Sequence, residues 1–129
     1  MSLRYSLIVT SPLYGKQGSA TALNFAKALI AEGHRLQAVF FYLDGVSNAL
    51  ATSFPTSDEI NIHQQWLELK QQANCDLLVC SAAAYRRGIL DHEQAQQLGL
   101  SANMSSQFTV SGLAEMASVM LSADRVVHL

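Results

Sequence analysis

The chain has 129 residues, half of them hydrophobic and only 14% charged, with a formal net charge of -2. That length suits one compact domain, residues 1–129, with a sizeable core, and the apolar fraction excludes a disordered or fibrous chain. Eight Lys and Arg against ten Asp and Glu argue against a basic face that grips nucleic acid directly, because neutralising phosphates needs many cations.

Apolar segments alternate between strand-like and helix-like periods, which predicts an α/β fold with a parallel sheet. Leu3 to Thr10 reads as a first strand, closed by Ser11-Pro12. The polar loop Leu13 to Gly18 leads into a helix from Ser19 to Glu32, where Ala22, Leu23, Ala26, Leu29 and Ile30 keep a 3.6 period and Gly33 stops the helix. Leu36 to Leu43 is the most β-prone stretch, a continuous apolar run suited to a central strand covered on both faces. Residues 45 to 57 are irregular or weakly helical. Thr56 and Glu59 have the spacing of a capping box, opening a helix to Gln72 with Ile62, Trp66 and Leu69 as its stripe. Leu77 to Ser81 is a short buried strand, Asp91 caps a brief helix ended by Gly99, and Phe108 to Val110 is a short strand. Ser111 opens a helix with Leu113, Met116, Ala117, Met120 and Leu121 at helical spacing, and Arg125 to Leu129 closes the chain as a strand. The longest apolar runs, such as Ala38 to Leu43, fall far short of the ~20 residues that span a bilayer. Leu7 to Val9 is too brief for a secretory leader. A soluble cytoplasmic protein, away from membranes, is expected.

In open parallel sheets, chemistry collects outside the carboxyl ends of the strands. Three segments should meet there: Ser11 to Ser19, Asp44 to Pro55, and Cys80 to Gly88. Cys80 is expected where its strand gives way to Ser81-Ala82-Ala83-Ala84, with Arg86 and Arg87 within reach. Two readings stay open for it: a semi-exposed reactive thiol activated by the amides of the following turn, or one more buried small apolar residue. Cys75, in a polar Asn-Cys-Asp context, reads as an inert surface thiol. On a strand the two sulfurs would face opposite sides, so no disulfide is expected. Cys80 to Arg86 matches the C-x5-R frame of cysteine phosphatases, but the intervening residues lack glycine and Arg87 stands where a phosphatase needs a hydroxyl. The loop Thr10 to Ser19 resembles a flavodoxin-type phosphate loop, although a plain strand-to-helix connection explains it without a ligand. His34, His63, His92 and His128 show no ligand spacing, so no metal is expected. Trp66 and the Met116/Met120 pair read as core or interface residues.

The segment Leu77 to Gly88 resembles the active-cysteine region of the DsrE/TusD sulfurtransferases. So, in order along the chain, do Ile8 to Gly15, Val39 to Val46, Ser111-Gly112-Leu113 and Asp124 to Val127. The resemblance implies a three-layer α/β/α sandwich around a five-stranded parallel sheet. It also implies a cysteine, Cys80 here, that accepts sulfane sulfur from a TusA-type donor as a persulfide and passes it to a TusE-type acceptor, serving 2-thiouridine formation at the tRNA wobble position. Cys75 has no counterpart in the pattern. The TusD branch is the nearer one; a DsrE-type role in sulfur oxidation is the alternative, and a flavodoxin-like nucleotide-binding module is another. The implied partners are TusB- and TusC-like subunits in a heterohexamer, with no cofactor and no direct contact with nucleic acid. Apolar candidates for the subunit contacts are the strand Phe40 to Tyr42, the Trp66 helix and the Met116/Met120 helix.

Overall fold

Five segments rich in β-branched, aromatic and other apolar residues pair into one sheet in the computed structural model, which describes residues 1–129: β1 (Arg4–Val9), β2 (Arg35–Phe41), β3 (Asp76–Cys80), β4 (Thr109–Ser111) and β5 (Arg125–His128). Every ladder is parallel and the strand order is β4-β3-β2-β1-β5. Parallel neighbours require crossovers. These are α1 (Gly18–Ala31), α2 (Ile62–Ala73), the short α3 (Ser81–Arg86) with α4 (His92–Leu98), and α5 (Leu113–Ser122). From β1 to β4 each crossover steps the same way across the sheet, so right-handed connections put α1, α2 and the α3–α4 run on one side. Only the step from β4 to β5 reverses, which leaves α5 alone on the other. The expected α/β/α arrangement follows.

The β1–β2 register pairs Tyr5 with Leu36 and Ser6 with Ala38, so Gln37 is an extra residue bulged out of β2. Beyond it, Leu7, Val9, Val39, Phe41, Leu77 and Val79 point to the α1–α2 side and are buried there with Leu23, Ala26, Trp66 and Leu69. Phe41 meets Trp66 edge to face at 5.1 Å, a geometry worth about 0.5–1.5 kcal/mol beyond the area it buries. Ser6, Ile8, Ala38, Phe40, Leu78 and Cys80 point to the side of α5 and are also buried.

Four expectations need correction. The Thr56 hydroxyl donates to the carboxylates of Asp58 and Glu59 rather than capping a helix; α2 starts at Ile62, where the Asn61 side chain accepts from Gln64 N at 3.0 Å. Ser111 ends β4, and Gly112 is the residue preceding α5. Cys75 is 2% exposed, not on the surface: Asn74 turns the chain in the left-handed region (φ 51°) and tucks the thiol inward before β3. Phe40, Phe41 and Trp66 all lie in the core, so of the proposed contact surfaces only α5 remains. It has no buried residue, and Leu113, Met120 and Leu121 are exposed. No helix is long and apolar enough to cross a membrane.

Candidate functional site

The site is built where β3 ends. Cys80 is the last residue of β3 and also precedes the first turn of α3; its backbone is still extended (φ -61°, ψ 116°). Ser81-Ala82-Ala83-Ala84 then turn at once into helix, as three alanines in succession favour. Ala83 and Ala84 are buried, and the helix closes as Ile89 N donates to Ala84 O, with Gly88 at φ 72°. The thiol is 3% exposed. Of the two placements left open, the structure shows the buried one: Cys80 is at the strand exit but covered. Cys75 is free as well, and burial pushes its thiol up to about 11, far from a reactive thiolate.

The three rim segments do converge, and a residue not singled out from the sequence joins them. After β2 the chain passes Leu43 in the left-handed region (φ 52°) into a 3-10 helix, Leu43–Ala49. A side chain at Gly45 would collide with the carbonyl of Val9, so only glycine lets this turn press against the end of β1. The turn carries Asn48 into the interior, fully buried. Its amide donates to Gly45 O (2.9 Å), Ser19 Oγ (3.0 Å) and Ser11 O (3.2 Å), and its Oδ1 accepts from Trp66 Nε1 at 2.9 Å. Ser19 Oγ donates in turn to Ser11 O and Pro12 O, and Leu13 N donates to Ser47 Oγ at 2.8 Å. His63 lies 2.7 Å by Nδ1 from the carbonyl of Asn48, which makes Nδ1–H the donor, and stacks on Phe108 with centroids 5.4 Å apart. The first loop is thus spliced to the second by side chains.

The second loop is tied to the cysteine helix by charge. Arg87 donates Nε to Asp44 Oδ1 at 3.1 Å, sets Nη2 3.0 Å from the same oxygen, and donates Nη1 to Ala83 O at 3.0 Å. Arg87 is therefore engaged in holding α3 against the 3-10 turn, whereas Arg86 is exposed. Tyr85 donates to Asp91 Oδ1 at 3.1 Å, and burial together with that carboxylate pushes its phenol up to about 12. On the other flank, Cys80 and Ser111 are register partners of β3 and β4, so their side chains leave the sheet on the same face from strands about 4.8 Å apart. The Ser111 hydroxyl, 6% exposed, donates to Glu115 Oε2 at 2.9 Å.

The remaining histidines are distributed elsewhere: His34 accepts from Leu3 N, His128 pairs with Thr10 Oγ1, and His92 is exposed on α4. No three His, Cys, Asp or Glu side chains gather in a metal-binding cluster. Open clefts of about 460 Å³ beside Tyr14, Lys16 and Ile60 and about 780 Å³ beside His92, Ser105 and Phe108 are not lined by Cys80. The first borders the loop that resembles a phosphate loop, where Gly15 takes φ 96°. Asn48, His63 and Glu115 are the residues the sequence did not disclose. Only Glu115 left a signal, four positions after Ser111 across a helix start.

An all-parallel sheet with a cysteine at the exit of its third strand defines a class of small α/β proteins, and comparison assigns it. The model of the DsrE/DsrF-like family matches residues 4–129, and the chain belongs to that family. It is 48% identical over 129 residues to sulfurtransferase TusD of Proteus mirabilis (strain HI4320), covering 99% of each chain. The protein is accordingly a sulfurtransferase. Its fold is also that of the ychN protein from E. coli, whose crystal structure superposes with a TM-score of 0.76 at 23% identity, with each chain fully covered.

Proposed function

We propose that Cys80 is the sulfur-carrying residue of a relay between protein thiols. The observation that carries this reading is its position: of the chain's two cysteines, it alone stands at a strand exit, on the rim where three loops converge. As thiolate it attacks the terminal sulfur of a donor persulfide. A bond forms between Cys80 Sγ and that sulfur, the donor's S–S bond breaks, and the donor leaves as a thiolate. An acceptor thiolate then attacks the outer sulfur and releases Cys80. Both steps are thiol exchanges governed by thiolate fraction and leaving-group basicity, and neither needs a metal or nucleotide.

The similarity to TusD supports a TusA-type donor, a TusE-type acceptor and 2-thiouridine at the tRNA wobble position as the destination. It equally supports assembly with TusB- and TusC-like subunits in a heterohexamer in the cytoplasm. The exposed Leu113, Met120 and Leu121 of α5, with Val126 on β5, supply an apolar surface for such contacts. The test is intact-mass analysis after incubation with a cysteine desulfurase, cysteine and a TusA-type carrier. One added sulfur, mapped to Cys80 and absent from Cys80→Ser, is expected. Equal loading of Cys80→Ser would refute the assignment.

A further inference from the structure

A cysteine that exchanges sulfur with another protein must be reached by it, yet Cys80 is only 3% exposed. Some element has to move. Cys80 leaves β3 on the face of the sheet that α5 alone crosses. That helix opens at Leu113, just past Ser111, the register partner of Cys80. It ends at Ser122, whose Oγ accepts from Gln37 Nε2 at 2.6 Å near the start of β2. Its course therefore runs from the exits of β3 and β4 back over that face, with its first turn at the thiol's end.

Three features make α5 a loosely seated cover. It is the only helix with no buried residue, and only Met116 and Val119, both part-exposed, pack against the core. Beneath its far end, at the bulge between β1 and β2, lie Ser6 Oγ and Gln37 Oε1, the two buried side-chain atoms with no hydrogen-bond partner in the protein. Water that reaches them as the helix lifts relieves the cost of leaving them unpaired. The third feature is Gly112. Gly45 is glycine because a side chain would strike Val9, and Gly88 because its φ is positive. Gly112 has neither reason: its backbone is extended (φ -101°, ψ 173°), and a Cβ there would meet nothing within 4 Å. What glycine supplies at such a position is freedom to rotate.

We propose that α5 is a hinged cover, whose first turn swings off the sheet about Gly112 and bares Cys80 to the thiol or persulfide of another protein. The proposal rests on the relay reading above. The closed form shields a Cys80 persulfide from stray thiols, and the open form is the one that exchanges sulfur. Loading and discharge both need a bare Sγ, so a shift in the opening equilibrium changes both rates by the same factor.

The experiment uses the full chain and reads opening separately from sulfur chemistry, as the rate at which iodoacetamide alkylates Cys80, followed by mass and mapped to that residue. Gly112→Ala fits the closed backbone, so its urea midpoint should hold or rise. Its Cys80 labelling should slow about two- to fivefold, the factor expected when a glycine's extra freedom is lost from the open form alone. Met116→Ala removes half of the helix's seat and should speed labelling at least about threefold. Labelling in all three proteins should be insensitive to urea well below the unfolding transition, because a local opening exposes little surface. Loading from sodium polysulfide should change by the same factor as labelling in each variant. Equal labelling of Gly112→Ala and wild type overturns the inference. So does a lowered urea midpoint in Gly112→Ala, or wild-type labelling that climbs with urea as global unfolding does. Cys80 that labels in this pattern but takes up no sulfur overturns the relay reading and bears the cover out, whereas normal loading with equal labelling overturns the cover alone.

Discussion

Replacing Asn48 with alanine should be among the most damaging single changes in the molecule. The side chain is fully buried; its Oδ1 accepts one hydrogen bond, and the two hydrogens of its Nδ2 are shared among three acceptors. These bonds are not lost equally. Ser11 O keeps the Ser19 hydroxyl as a donor, and Ser19 Oγ keeps its own acceptors. Trp66 Nε1 and Gly45 O lose the side-chain partners recorded for them in the buried interior. Each buried polar group left unsatisfied costs about 1–3 kcal/mol, and the small void adds to it, so about 3–5 kcal/mol is expected. With an m-value of about 2 kcal/mol/M, a loss of about 4 kcal/mol moves the urea midpoint by about 2 M. The same variant should slow sulfur acceptance at Cys80, because the 3-10 turn that presents Asp44 to Arg87 loses its anchor. A midpoint shift corresponding to less than about 1 kcal/mol would show that water or a rearranged loop replaces the network, and would refute its role in building the rim.

Cys75→Ser should load sulfur normally while losing modest stability, measured by intact mass and urea unfolding; loss of loading would contradict the single-cysteine scheme. The Cys75 thiol is held up to about 11 from 9.0; this raised value stabilises the fold below the unfolded thiol's pKa. That contribution should fade as pH rises from about 9 to about 11, where the unfolded chain sheds the proton first, and a urea series across that window checks it. Exchanging Met120 and Leu121 on α5 for lysine should leave the monomer folded but block association in sedimentation, alone and with co-expressed partner subunits; unaltered assembly would place the contact elsewhere. Filter binding of the isolated protein to tRNA should show no salt-sensitive complex of submicromolar affinity, given a net charge of -2.

Much of this site was legible because parallel α/β topology sends loops to one rim, and the strand ends at Thr10, Leu43 and Cys80 could be read from apolar runs. The exposure of Cys80 was not legible, since it depends on how α3 and β4 close around the strand end. Asn48 was hidden for a similar reason: an asparagine in a loop looks like a turn former until Trp66, 18 positions away, supplies its partner. Thr56 and Glu59 mimicked a helix start because local spacing says nothing about whether the backbone between them turns. Cys75 was misread from its polar neighbours, although Asn74 and Asp76 are exposed on either side of it, an alternation that a half-buried strand entry would display.

The strand order also governs the sequence of events during synthesis. β1 gains its first neighbour when β2 appears, pairing Arg4 with Arg35, but its other edge waits for β5. Arg4 N is hydrogen-bonded to the Asp124 carboxylate 120 positions away, and at about 5–20 residues per second a ribosome takes roughly 6 to 24 s to cover that interval. Through that time the unpaired edge of Leu7-Ile8-Val9 is open to any passing strand. Docking of the last strand should therefore be the slow, aggregation-exposed step, and chaperone cover of that edge until β5 arrives, rather than slower synthesis, the condition that raises the yield of folded chain.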